Sequence, residues 1–506
     1  MADYRNRFWI SIILLVLFSF SAEAKDHNIV DYGAKPDGVT LNTSAIQKAI
    51  DQAHLEKGGR VIVPTGHFLT GSFTLKSNVE LHLTSDAVLL SSTHFEHHKV
   101  VEGSYQRSII MSSYQDNISI TGSGTIDGQG LETALRTDSL FTAGVLDQKY
   151  YNHIEHRPRF YMRPMLIVFM KCTNIVIRDI HLIDGASWIQ HYDRCENLTI
   201  SGITVNSDAY WNNDGIDISD SKNVYLTDSH FDSSDDGICL KSHFDDEMLE
   251  NVIIENCSVR SSASAVKFGT KSLGGFKNVT IKNIKVYDTF RSAIAIESVD
   301  GGDLENILID SLEATNTGNA IFIKLGHREE DKKYATLKNV TIKNVKVQVA
   351  FERPDYAYNI RGPALAIFHN IFPSSITGLP GHDIENVRLE NIEITYPGRG
   401  HKGMAYVPLT QLDNIPENAN IYPEFHMFGE LPAWGFYVRH VNGLVMENIS
   451  LKIQNPDYRN AFILDDVKHV NINDTTITGD TKANHVIIQN STDVKIDSTL
   501  NPIIFK

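Results

Sequence analysis

"NVYLTDSHFDS", residues 223–233, alternates apolar and polar side chains, breaks at Asp228, and then alternates again. Val, Leu, Tyr and Thr favour extended backbone, and a two-residue period marks a strand with one buried face. The phrase therefore reads as two short strands separated by a bend. It recurs along the chain: "NISITGSGTIDG" from Asn117, "NIVIRDIHLIDG" from Asn174, "NLTISGITVNS" from Asn197 and "NVIIENCSVRSS" from Asn251. Further copies are "NVTIKNIKVYDT" from Asn278, "NILIDSLEATNT" from Asn306, "NVTIKNVKVQV" from Asn339 and "NVRLENIEITY" from Asn386. From Asn174 to Asn306 the spacings are 23, 26, 28, 27 and 28 residues.

A strand-rich repeat of this period predicts a solenoid, because one coil cannot bury its inward face alone and stacked coils share a core. The fold class expected is all-β: a solenoid of stacked coils whose strands pair in parallel. The leading Asn of each repeat is expected at a turn, where identical side chains stack into an amide ladder. Several of these Asn residues fit Asn-x-Ser/Thr, but their place in every coil favours structure over glycosylation. Longer intervals after Asn306 predict inserted loops at 325–336 and 353–384, walling a groove.

The N-terminal region differs. "TSAIQKAIDQAHLEKGG", residues 43–59, has helical spacing, with Ile46, Ile50 and Ala53 on one face. Thr43 or Ser44 is expected to cap it and Gly58-Gly59 to end it. It follows "VDYGAKPDGVTLN", and one such helix ahead of the strands predicts a cap over the open end of the solenoid. Ahead of it, Arg5 and Arg7, the apolar run "FWISIILLVLFSF" and Ala22-Glu23-Ala24 read as a secretory signal with a cleavage site. The expected division is a signal at 1–24, a cap with the first coils at 25–95, and a β-helix with loop insertions at 96–500. The protein is expected to be secreted or periplasmic, with no membrane association after cleavage.

The chain has 506 residues, 42% of them hydrophobic and 21% charged, which is ample material for a core. A formal net charge of −16 argues against nucleic acid as a partner, since that demands concentrated Lys and Arg. Cys172, Cys195, Cys239 and Cys257 are too few for a disulfide scaffold and read as small buried hydrophobes.

Around the founding repeat lie two acidic knots, Asp214 with Asp217 and Asp235 with Asp236. Their first members stand one coil apart, which predicts Asp214 and Asp235 at equivalent places on neighbouring rungs spaced by about 4.8 Å. An isolated Asp-Gly is ordinary turn chemistry and occurs here at 37–38, 127–128, 184–185 and 300–301. Stacked acids cost stability, so two clusters on adjacent coils point to function. Clustered Asp also suits calcium, but no regular calcium-loop spacing is present. The chemistry favoured is glycoside hydrolysis, in which one carboxyl protonates the leaving oxygen and another activates water or attacks the sugar. Like charges a few ångströms apart keep one proton in such a site.

At these residues the sequence resembles the polygalacturonase family, glycoside hydrolase family 28, from "VDYGAKPDGVTLNTSAIQKAI" to about residue 480. The family's Asn-x-Asp-Gly-x-Asp is matched by Asn212 to Asp217, its Asp-Asp pair by Asp235-Asp236, and "DGASWIQHY" resembles the segment one coil earlier. The resemblance implies a single-stranded right-handed parallel β-helix and an inverting mechanism, with Asp235 as general acid and Asp214 and Asp236 holding the water. Inversion then requires those side chains to splay beyond one coil spacing. It also implies substrate contacts at Asn212 and Asp217, and calls for neither a metal nor a cofactor.

Two departures stand out. Where the family has Gly-His-Gly, "SSASAVKFGT" puts Ser264 in place of the His, with Lys267 close by. Where it has Arg-Ile-Lys, "SAIAIES" puts Ala295 and Glu297. Lys267, Arg291, His327 or Arg328 are the candidates to replace the lost cations. Tyr210, Trp211 and Trp188, with Trp434 and Tyr437 further on, are candidate sugar platforms. The reading is a secreted inverting glycoside hydrolase of galacturonic acid or related bonds in pectic polysaccharides or oligosaccharides, rhamnogalacturonan included. Inserted loops after Asn306 favour an exo-acting or side-chain-cleaving pocket over an open groove. A lyase on the same fold and a non-catalytic glycan-binding β-helix are the alternatives.

Overall fold

The computed structural model describes residues 25–358, 370–482, 486–500 and 502–505. The expected signal at 1–24 lies outside the described residues, as does part of the expected 353–384 loop. The chain forms a right-handed parallel β-helix whose middle coils each contribute three strands, which run together into longer strands from Leu249 onward. One coil runs Gln190–Asp193, Glu196–Ser201 and Thr204–Ser207; the next runs Ile216–Ser219, Lys222–Thr227 and His230–Ser233. Each strand pairs in parallel with its counterpart, Leu198 with Val224 with Val252 on the second face. The inward residues stack into one apolar core running from Ile29 to Leu500.

The Asn ladder is present. Asn117, Asn174, Asn197, Asn223, Asn251, Asn278, Asn306, Asn339 and Asn386 each donate from Nδ2 to Oδ1 of the preceding Asn, beginning at Asn78, at 3.0–3.3 Å. All adopt left-handed backbone, φ between 53° and 64°, which Asn tolerates better than other side chains with a Cβ. The four cysteines are free and buried.

The N-terminal helix spans Thr43–Leu55 and buries Ala45, Ile46, Ala49, Ile50 and Ala53 at the open end of the core. Its first flanking residue is Asn42 rather than Thr43 or Ser44, and the Asn42 amide is engaged with the backbone of Lys35, Thr40 and Leu69. Gly58 follows the helix with φ 137° and donates to Ala53 O. A second helix, Gly130–Thr142, was not foreseen from the sequence.

On the first face of the solenoid the expected alternation between buried and exposed fails. Ile216–Ser219 and Ile238–Ser242 are buried at every position, although their outward side chains are polar. Two excursions cover this face. Phe160, from the segment after the second helix, stacks on Trp188 at 5.3 Å. The long loop between Tyr396 and Ala433 lays Leu412, Ile415, Phe425, Phe428 and Leu431 over Ala295, Phe322, Tyr437 and Ile463. Trp434 and Tyr437 therefore belong to the strand Ala433–Ile453 and are buried, so neither is a sugar platform.

Candidate active site

The outward side chains of the first face form vertical rows, because parallel register repeats each position one coil later. Ile216 pairs with Ile238 and Ile238 with Val266. Counting back two residues, Trp188, Asp214, Asp236 and Ser264 share one row. Asp214 thus stands opposite Asp236, not Asp235 as expected; Asn213 stands opposite Asp235. The reason is the bends: residues 208–215 form a longer one than residues 234–237, so spacing between the acidic knots does not equal the register. Asn213 is buried and braces the longer bend, accepting from Tyr210 N and Ser207 Oγ and donating to Gly185 O and Ser187 O. The next outward row is His191, Asp217, Cys239, Lys267, Ala295 and Phe322.

Asp214, Asp235 and Asp236 converge, with one oxygen from each lying within 4.8 Å of the others. The carboxylates do not splay. Asp214 is 4% exposed, Asp236 is equally buried, and Asp235 is the least buried of the three. Asp235 Oδ1 accepts from Asp236 N at 3.0 Å, and its Oδ2 accepts from Asn212 Nδ2 at 3.4 Å. Asn212 has φ 61° and is itself held by Arg163, whose guanidinium donates to Asn212 Oδ1 at 2.8 Å and to Ala186 O and Trp211 O at 2.6 Å.

Lys241 Nζ lies 3.1 Å from Asp214 Oδ2, bonds Asp217 Oδ1, and sits 4.3 Å above the Trp188 ring. Asp217 Oδ2 is buried without a partner among the described residues. Lys267 Nζ is 3.0 Å from Asp236 Oδ2 and donates to Tyr422 OH at 3.0 Å. Asp236 Oδ1 accepts from Ser264 N at 3.0 Å, so the residue in the place of the family's His contributes its backbone.

These contacts drive the neighbouring aspartates in opposite directions. Burial raises Asp235, and the Asp236 charge raises it further. Burial also works to raise Asp236, but Lys267, Arg291, Lys241 and the Ser264 N–H outweigh it and hold the group below its ordinary value. Burial and Asp217 raise Asp214 well above the usual carboxylate range against the pull of Lys241. Asp217 is pushed up to about 6, chiefly by burial. Separation of this kind between adjacent acids is how a site obtains a proton donor and an ionised base together.

The remaining expected residues divide. Tyr210 is buried beneath the Arg163 guanidinium, which also holds Asn212, and Trp211 carries Arg157 4.7 Å above its ring. Trp188 lies between Phe160, His191 and Lys241. Arg291 pairs with Glu424 at 2.8 Å. Arg328 is bound to Asp300 by two bonds of 2.9 Å and reaches the far edge of the site 5.9 Å from the Tyr422 ring. His327 is not brought to the acids: its ring stacks on Tyr334 at 4.0 Å, which stacks in turn on His382 at 3.8 Å. Glu297 is 2% exposed, accepts from Thr270 Oγ1 at 3.2 Å, and is pushed up to about 8 by burial.

The sequence reading missed Lys241, Arg163, Tyr422 and Glu424. Strand alternation carried the signal for Lys241, which shares the outward side of its strand with Cys239, the partner of Asp217. Nothing local marks Tyr422 and Glu424, which arrive on a loop 155 residues beyond Lys267.

Residues 56–411 match the model of glycosyl hydrolases family 28. A probable polygalacturonase of Vitis vinifera is 29% identical over 325 residues, covering 61% of this chain and 58% of its own. The chain thus spans less than two thirds of that relative's length. An exo-poly-alpha-D-galacturonosidase of Dickeya chrysanthemi is 25% identical over 436 residues, covering 74% of this chain and 72% of its own. The solved family 28 exopolygalacturonase of Yersinia enterocolitica superposes with a TM-score of 0.60 at 18% identity, over 96% of this chain and 80% of that one, a likeness of fold.

Proposed function

The chain belongs to glycosyl hydrolases family 28, and from that premise we propose that it is an exported, inverting and exo-acting hydrolase of glycosidic bonds in pectic oligosaccharides. The observation that carries the reading is the convergence of Asp214, Asp235 and Asp236 within 4.8 Å on a covered outer face.

Asp235, raised by burial and by the Asp236 charge and the least buried of the three acids, protonates the departing glycosidic oxygen. Asp236, held ionised by Lys267, takes a proton from the attacking water, and Asp214 fixes that water's second contact. The separation is shorter than the ~6.5–9.5 Å usual for an inverting acid and base. A water bonded to two oxygens at about 2.8 Å each can span 4.8 Å, so it fits inside the cluster rather than across a wider gap. Asn212 orients Asp235, and Arg163 orients Asn212. Lys241 offsets the charge of Asp214 and Asp217, while Trp211 flanks the sugar.

Exo action is supported by coverage of the outer face on both sides of the acids, by Phe160 over Trp188 and by the apolar loop over Ala295 and Phe322. Export is supported by the signal-like residues 1–24.

The test is incubation with a panel of pectic oligosaccharides, following new reducing ends and ultraviolet-absorbing unsaturated ends. Hydrolysis yields reducing ends alone, removed by Asp235→Asn to the extent of about 10²–10⁴-fold. Unsaturated products would indicate a lyase. Turnover unaffected by Asp235→Asn would remove the aspartates from the mechanism.

A further inference from the structure

One coil before the aspartates, the strand Gln190–Asp193 carries two outward side chains that the proposed displacement does not use, His191 and Asp193. Both line an open cavity of about 290 Å³, which His243, Phe244 and residues 103–106 also line. Asp193 is 3% exposed. Its Oδ2 accepts from Arg194 Nη2 at 2.7 Å and from Nε at 3.1 Å, whereas its Oδ1 is buried with no partner among the described residues. A carboxylate oxygen left so has lost its hydration without compensation, and such an orphan calls for a bound water or ion.

Two imidazoles reach the same point. One ligand atom each from His191, Asp193 and His243 lie within 4.8 Å of one another. Gln106 Oε1 accepts from His191 Nδ1 at 3.0 Å, which places the ring proton there and leaves the Nε2 lone pair to a hydroxyl, Ser219 Oγ at 2.9 Å. A ring fixed by a carbonyl through one nitrogen, with the other free to ligate, is the usual setting of a metal-bound histidine. A cation takes that lone pair once the Ser219 hydroxyl rotates away. His243 is anchored through its backbone, its N donating to Asp220 Oδ2 at 2.8 Å, while its ring makes no hydrogen bond among the described residues. Two ligands at about 2.1 Å from one centre stand at most about 4.2 Å apart, so closure on a cation needs a shift on the order of 1 Å. His243, half-buried at the head of the turn over residues 243–248, supplies it.

Charge does not forbid a cation here. Arg194 is matched by Asp193, Lys271 by Glu329 at 2.6 Å, and Lys241 by Asp214 and Asp217. The other groupings of such side chains are less suited. Asp214, Asp217 and Cys239 already hold the Lys241 ammonium, 3.1 Å from Asp214 Oδ2 and from Cys239 Sγ. His94, Glu96 and His97 lie at the surface, with Arg136 Nη2 3.1 Å from His94 Nδ1.

We infer that His191, Asp193 and His243 form a site for one divalent transition cation of the zinc class, with Gln106 orienting His191. Two imidazole nitrogens and one carboxylate oxygen suit that class and disfavour Ca2+ and Mg2+, which take oxygen ligands. The resemblance to family 28 calls for no such site, and the site does not depend on the hydrolase reading. Its role is structural. The cation ties the turn at 243–248 to the strand Gln190–Asp193 and, through Gln106, to residues 103–106, and none of its ligands is one of the three converging aspartates.

The test titrates the chelator-treated full-length protein near neutral pH, with Zn2+ by calorimetry and with Co2+ by visible absorption. One Zn2+ per chain is expected, and Co2+ should give the d–d bands of a low-coordinate nitrogen and oxygen site. His243→Gln and Asp193→Asn should each weaken Zn2+ by at least about tenfold, and Gln106→Ala by about tenfold with the stoichiometry unchanged. His94→Gln should bind as the wild type does. Zn2+ should raise the melting temperature of the wild type and not that of His243→Gln, which decides the matter should Asp193→Asn fail to fold. Absence of binding under excess metal overturns the inference and assigns Asp193 Oδ1 to water. Binding that His243→Gln and Asp193→Asn leave unchanged, or that His94→Gln abolishes, overturns it as well.

Discussion

Lys267 Nζ sits 3.0 Å from Asp236 Oδ2, and that pairing makes two adjacent aspartates chemically unlike. Asp235, one residue earlier, gains no such partner among the described residues and is raised by burial and by Asp236 itself. Lys267 is 1% exposed, so water screens the pair little. The division of labour between acid and base therefore depends on a residue one coil away from both.

Replacing Lys267 by Met is expected to raise Asp236, because its principal counter-charge is gone while burial remains. The ionised base then persists only at higher pH. The acid limb of the kcat profile should shift upward, and kcat at pH 5 should fall by about 10²-fold or more. A purely structural role for Lys267 would lower activity at all pH values without moving the limb. Lys267→Arg, which keeps the charge, should retain most of the wild-type limb position.

Stability should decline from pH 5 to pH 8. Burial raises Asp217 to about 6, Asp220 to about 7 and Glu297 to about 8, so the folded chain binds protons that the unfolded chain has released. For a raised carboxyl the stabilisation is complete below the unfolded value near 4 and is lost as pH rises through the folded value. Glu297→Gln removes one such group. Its thermal midpoint should exceed that of the wild type at pH 8 and converge with it toward pH 5, as read by calorimetry in matched buffers. Equal slopes for both proteins would show that Glu297 ionises freely.

The period of the Asn-led repeat announced the solenoid and its amide ladder, and the helical spacing over residues 43–59 announced the N-terminal cap. The site was legible in part. Asp214, Asp235 and Asp236 meet, but their register was misassigned because bends of different length intervene between rungs. Lys241 was hidden by a face whose outward side chains are polar and yet covered, where simple alternation suggests solvent. Trp434 was mistaken for a platform because an aromatic cluster near glycines reads equally as loop or core. Glu424 and Tyr422 depend on how a long loop folds back over the coils, and no periodicity encodes that.

Asn278 offers a test of the ladder. It donates to Asn251 Oδ1 at 3.1 Å and accepts from Asn306 Nδ2 at 3.1 Å, with φ 55°. Asn278→Ala loses both bonds and strains the left-handed backbone, for a combined cost of about 2–3 kcal/mol. Asn278→Gly, free of the strain, should cost less than the Ala variant in chemical denaturation. Equal costs would assign the effect to the amide bonds alone.

The central claim, that three crowded aspartates direct a single displacement by water, is tested most directly by the configuration of the sugar at the moment of release. Proton NMR of an α-linked pectic oligosaccharide, recorded within the first minutes of cleavage, should show the β-anomer of the new reducing end before mutarotation. Initial appearance of the α-anomer would contradict the account.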